Sequence, residues 1–189
     1  MKNLKTIAFS LLVAFSATTF NAQTKKVDVA ASKVSWVGKK VTGLHEGIVN
    51  LKEGNLVFKG KKLVGGNFTV EMTTIVVTDL KAGQGKEKLE GHLNSEDFFS
   101  TEKFQSANLV FKTIADKNNN VYAVTADLTI KGKTNPVTFN ISVNGNKATT
   151  NLKIDRTKYD IKYGSGSFFD NLGDKVISDN FDLIVELSF

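Results

Sequence analysis

The chain of 189 residues has no cysteine, one proline, one tryptophan and two histidines. Without cysteine there is no disulfide framework, thiol nucleophile, Cys-ligated zinc or iron–sulfur cluster, and no thiol to carry a lipid. Two histidines leave little scope for a histidine-built metal site or proton relay, and His45 and His92 fall on separate predicted elements, a strand and a helix. There is no G-x-S-x-G elbow. The G-S-G at 164–166 lacks the strand–loop–helix frame and the following lysine of a phosphate loop, and reads as a tight loop. Carboxylates such as Asp97, Asp155 and Asp170 are scattered, without the spacing of a glycosidase-like pair. The net charge of +6 comes from lysines spread over strands and turns. They lack the aromatic interleaving of a nucleic-acid platform, so no nucleic-acid partner is expected.

Hydrophobic residues make up 41% and charged residues 23%, the proportions of a globular chain and not of a disordered one. Lys2 and Lys5 open the sequence, Ile7 to Ala17 is mostly apolar, and small or polar residues follow to Ala22. That apolar run is well short of the roughly 20 residues a membrane helix needs, and the layout is that of a secretory signal peptide. Residues 1–22 are therefore read as an export signal and 23–189 as one domain. No later stretch is apolar for long enough to form a membrane helix, so the domain is not expected to span a membrane.

The domain alternates. Phe68, Val70 and Met72 share one face. Tyr122, Val124, Ala126, Leu128 and Ile130 share another, as do Val137, Phe139, Ile141 and Val143, and Phe181, Leu183, Val185, Leu187 and Phe189. A period of two marks half-buried strands. Further strands are expected at 33–39, 44–52, 55–59, 109–114 and 148–156, about eight or nine in all. Glu53-Gly54-Asn55, Lys117–Asn120 and Asn144-Gly145-Asn146 read as hairpin connections. Only 85–99 is helical in pattern, with Leu89 and Leu93 at i, i+4 and Ser95 placed to cap a second short turn of helix. The expected fold is all-β, an antiparallel barrel or sandwich, with one or two short helices across a barrel mouth or against its side.

A small barrel fills its interior or leaves room for a ligand. Two features point to a ligand. The doublets Phe98-Phe99 and Phe168-Phe169 fall in irregular stretches, where a mouth would be. Arg156 shares a face with Leu152 and Ile154 at a strand's end, and an arginine there needs a partner. That partner is either a ligand's phosphate or carbonyl, or a structural carboxylate from Asp97, Asp155 or Asp170. His45 shares a face with Gly47, Val49 and Leu51 and is a second inward candidate.

Several segments resemble the YceI family, secreted lipocalin-like proteins described as polyisoprenoid-binding. They are S-K-V-S-W-V-G-K-K at 32–40, G-L-H-E-G at 43–47, G-G-N-F-T-V-E-M at 65–72, K-L-E-G-H-L-N-S-E-D-F-F at 88–99, A-D-L-T-I-K-G-K-T-N-P-V-T-F at 126–139 and I-D-R-T-K-Y-D-I at 154–161. The chain departs from the family pattern at Glu71, where aspartate is usual, at Gln105-Ser106, where proline is frequent, and at Asp160, where glycine is common. The resemblance implies an extended eight-stranded antiparallel lipocalin-like β-barrel with a helix in one connection and an elongated internal pocket for a long-chain isoprenoid or a similar amphiphile, such as a quinone or fatty amide. It also implies a location in the Gram-negative periplasm, and neither cofactor nor enzymatic activity. On the matched strands the ligand-facing candidates are Trp36, Phe68, Val70, Met72, Phe111, Leu128, Ile130, Phe139 and Ile141. Phe98, Phe99, Arg156, Phe168 and Phe169 join them from the mouth. Oligomeric state is left open, with a homodimer among the expected partners. The competing readings are a filled structural or stress-protective barrel, a small outer-membrane barrel, and an enzyme using Asp97, His45 or Arg156.

Overall fold

The computed structural model describes residues 21–189. The expected export signal, 1–22, lies outside the described residues except for its last two positions. Nine strands and one helix follow in order: β1 (Ala22–Lys26), β2 (Asp28–Lys40), β3 (Gly43–Lys59), β4 (Lys62–Val77), α1 (Lys86–Asn94), β5 (Ser106–Asp116), β6 (Val121–Ile130), β7 (Lys133–Asn144), β8 (Lys147–Asp155) and β9 (Ile177–Ser188). Neighbours run β1-β3-β2-β9-β8-β7-β6-β5-β4, and pairing of β3 with β4 closes the ring. β1 pairs with Asn55–Lys59 of β3, and β2 pairs with Gly43–Val49 of the same strand. With only Val27 between them, β1 and β2 serve as two parts of one wall strand. The wall is thus an eight-stranded closed antiparallel barrel.

Alternation decides what lies inside. In β6, Tyr122, Val124, Ala126, Leu128 and Ile130 are all buried, while Thr125, Asp127 and Thr129 face outward. β7 likewise buries Phe139 and Ile141 and exposes Thr138 and Asn140. An apolar interior inside a polar wall is the reverse of the lipid-facing apolar band of an outer-membrane barrel. Among the described residues, no helix is long and apolar enough to cross a membrane.

The two ends differ. Short turns at 60–61, 117–120 and 145–146 gather at one end, beside the chain's last residue. That end is packed by Leu56, Phe58, Leu63 and Tyr122. Phe58 stacks on Phe189 at 5.7 Å, and Lys25 Nζ lies 5.4 and 5.1 Å from the two ring centres. The other end carries the turns at 41–42 and 131–132 and both long connections, 78–105 and 156–176. It is the mouth.

Three local expectations need correction. Glu53-Gly54-Asn55 is not a turn but the interior of β3, which runs on to Lys59. A register shift between Leu51 and Glu53 breaks the alternation there, as a bulge does. Gly54 is required because a Cβ would stand 2.6 Å from Cδ1 of Phe68. Ser95 does not start a second helix. It ends α1, its backbone N–H donating to His92 O, and 96–99 continue as turns. β8 stops at Asp155, whose carboxylate accepts from Thr157 N and caps a single 3-10 turn over Arg156–Tyr159. That turn ends on Asp160 at φ 62°, a left-handed conformation that explains the family's preference for glycine here.

Candidate functional site: an apolar cavity under a plugged mouth

The upper half of the barrel is hollow. Its cavity leaves about 180 Å³ of room for the centres of water-sized molecules. One water needs about 10–15 Å³ on that measure, so the space is far larger than a packing defect. Trp36 from β2, Phe68, Val70 and Met72 from β4, Phe111 from β5, Leu128 and Ile130 from β6, and Phe139 and Ile141 from β7 all line it. β9 adds Phe181, Leu183 and Val185, which the sequence reading placed on one strand face without assigning to a site. Leu93 of α1 and Ile75 of β4 were missed because neither stands out from ordinary core in the sequence. The rings fall into two clusters. Phe111 lies 5.6 Å from Phe68 and 5.8 Å from Phe139, while Phe99 lies 5.4 Å from Phe98 and 6.3 Å from Phe181.

The mouth is plugged by the chain following α1. Glu90 accepts from Val77 N at 2.9 Å and ties the helix to the end of β4. Leu93, Phe98 and Phe99 then turn down onto the cavity. Phe98 is buried, and Asn94, Ser95 and Ser100 hold its turn through backbone bonds.

Phe168 and Phe169 do not reach the cavity. They are 50% and 49% exposed, and Lys162 Nζ sits 5.0 Å from the ring centre of Phe168. The loop turns its other face inward. Ser165 is fully buried, and its carbonyl accepts from Phe168 N and Phe169 N at 3.2 and 3.0 Å. His45 is also absent from the lining. It stands at the rim, with Nδ1 2.8 Å from Asp79 Oδ2. Burial raises the Asp79 pKa, but His45 and the Glu46 N–H outweigh it and hold the carboxyl below its ordinary value.

Arg156 is buried and touches the cavity, but its fork is occupied. Nε donates to Ser178 O at 2.9 Å, Nη1 to Ile161 O at 2.7 Å and Nη2 to Ile177 O at 3.0 Å. Its ion-pair partner is Asp179, at 3.7 Å, and not Asp97, Asp155 or Asp170. Asp155 is committed to Thr157. The guanidinium also lies 5.6 Å from the centre of Phe98, so it braces the plug. Burial pushes its pKa down, and the charges of Asp179 and Asp155 push back. Close by, burial drives the Tyr159 phenol up to about 12, with the charge of Asp155 adding to the shift. Almost wholly apolar, the cavity is suited to holding a hydrocarbon chain. Among the described residues, no three His, Asp or Glu side chains gather as metal ligands do.

A YceI-like domain matches residues 26–189. A UPF0312 protein of Shewanella denitrificans is 36% identical over 92 residues, covering 49% of this chain and 46% of that protein. A UPF0312 protein of Staphylococcus aureus is 33% identical over 79 residues, 42% of this chain and 43% of that one. The aligned stretches span less than half the length of these relatives. In three dimensions the chain is similar to BcnA of Burkholderia cenocepacia, with a TM-score of 0.68 and 26% identity over 85% of this chain and 98% of that one. A polyisoprenoid binding domain from Saccharophagus degradans shares the fold at a TM-score of 0.59 and 16% identity, covering 86% and 97%. With the family match running over nearly all of the described chain and the same barrel in its structural neighbours, the protein belongs to the YceI-like family.

Proposed function

We propose that this protein binds a long-chain isoprenoid or similar amphiphilic lipid, held by its hydrocarbon chain inside the barrel, and that it carries or sequesters that lipid without chemical change. The observation that carries the reading is the almost wholly apolar cavity walled by Trp36, Phe68, Met72, Phe111, Phe139 and Phe181. Each CH₂ moved from water into such a space contributes about 0.8 kcal/mol. A few isoprene units therefore offset the several kcal/mol lost on association. The structural neighbour from Saccharophagus degradans, described as polyisoprenoid binding, supports the same class of ligand. The signal-like residues 1–22 support export, and the family's secreted character supports the periplasm as the place of action.

Trp36 is the only tryptophan in the chain and lines the cavity, so its emission reports occupancy directly. Titration with farnesol, a 15-carbon isoprenoid alcohol, is expected to change Trp36 emission saturably at one equivalent. No change with farnesol, longer prenols or quinones would overturn the proposal in favour of a filled structural barrel.

A further inference from the structure

The wall has a gap. β2 pairs with β3 down to Val34↔Val49, and β1 resumes pairing with β3 at Lys26↔Asn55. Between these points Val27 N donates to Gly54 O at 2.8 Å, and Asp28–Lys33 have no paired partner in β3. On its other side β2 loses register with β9 between Asp28 and Lys33. Val29–Ser32 therefore arch away from the wall. The arch is built and held. Asp28 Oδ1 accepts from Ala30 N and Ala31 N at 3.1 and 3.2 Å, and Ser188 N donates to Ser32 Oγ at 3.0 Å.

Outside the gap lies a groove of about 450 Å³ on the same measure as the inner cavity. Its walls include Lys33, Lys52, Asn50 and Glu71, together with Val34, Val49 and Leu51. Those last three also line the inner cavity, so three aliphatic side chains are all the two spaces share as a partition. One side of it is almost wholly apolar, while the other is partly polar and carries two lysines against one glutamate.

Resting on the lipid-binding reading above, we infer that this seam is a lateral portal, and that an amphiphile lies with its chain in the barrel and an anionic head in the outer groove, between Lys33 and Lys52. An amphiphile needs such a boundary between apolar and polar walls. The plugged mouth does not supply it. There Arg156 already gives Nε, Nη1 and Nη2 to three carbonyls and faces Asp179, and Lys39, the other cation in the lining, is paired with Asp182 at 2.7 Å. Lys33 and Lys52 are exposed and reach the groove from both of its strands. The head chemistry this favours is a phosphate, diphosphate or carboxylate, over a neutral alcohol or amide.

The test is a Trp36 emission titration with farnesol and with farnesyl phosphate, on the natural chain and on the double variant Lys33→Glu/Lys52→Glu. Both substitutions are on the surface and leave the core intact. The natural chain is expected to bind farnesyl phosphate more tightly than farnesol, with the advantage shrinking as salt is raised. The double variant is expected to lose about tenfold in farnesyl phosphate affinity and to keep farnesol within about twofold. Equal losses for the two ligands, or no loss for either, would overturn the portal while leaving the lipid-binding reading in place. A natural chain that binds neither ligand overturns both.

Discussion

The indole of Trp36 occupies the space that a side chain at position 47 would need. The two residues are paired across β2 and β3, and a Cβ on Gly47 would stand 2.5 Å from Cζ2 of Trp36 and 1.9 Å from the carbonyl of Val76. Trp36 is further held by a bond from its Nε1 to Ile48 O at 3.3 Å. The cavity's aromatic wall thus depends on a glycine in the next strand. Gly47→Ala is expected to cost about 3 kcal/mol or more, since the backbone carbonyl cannot step aside as a side chain does. Denaturant unfolding followed by Trp36 emission measures both the loss and the displaced ring.

Arg156→Met is expected to be among the most destabilising changes in the chain. It removes donors to three carbonyls and leaves Asp179 without its counter-charge. Breaking a buried pair from one side costs about 3–5 kcal/mol. Asp179→Asn should cost less, about 1 kcal/mol, because the three carbonyl bonds remain. A double-mutant cycle by thermal or urea unfolding gives the coupling between the two. Near-zero coupling would show that the carbonyls alone hold the guanidinium.

Acid should loosen the same region. Burial works against ionisation of Asp179, but the nearby hydroxyls of Ser165 and Ser167 and the charge of Arg156 outweigh it and hold the carboxyl below its ordinary 3.8. The folded chain therefore binds that proton less readily than the unfolded chain does. The resulting stability is present above 3.8 and is lost as pH falls through the lowered value. Unfolding free energy measured across the acid range should fall less steeply in Asp179→Asn than in the natural chain.

Phe168→Ser and Phe169→Ser are expected to change stability by no more than about 0.5 kcal/mol each and to leave farnesol binding alone, because both rings are half exposed and away from the cavity. Melting curves and the Trp36 titration check both points. A large loss of binding in either variant would return this doublet to the ligand site.

The wall of the site was legible because strand alternation is a local signal. Leu128 and Ile130, or Phe139 and Ile141, point inward for the same reason that Thr129 and Asn140 point outward. The bulge after Leu51 was not legible. It puts the pattern out of phase, so Gly54 imitated a turn. Side could not be assigned in the loops either. Phe98-Phe99 and Phe168-Phe169 look alike in sequence, yet one doublet is drawn in with Leu93 and the other is turned out by buried Ser165. Arg156 was recognisable as needing partners. Three of them are main-chain carbonyls, which no residue type announces, and the fourth, Asp179, reaches it only through the long connection before β9. The seam between β2 and β3 rests on register, which depends on how both strands pair with their other neighbours.

The measurement that tests the central claim most directly is organic extraction and mass spectrometry of the protein purified from its native source without detergent. The account predicts a near-stoichiometric isoprenoid or similar long-chain amphiphile, and the mass identifies its head group. Protein that extracts clean, and stays clean when offered polyprenols and quinones, would contradict it.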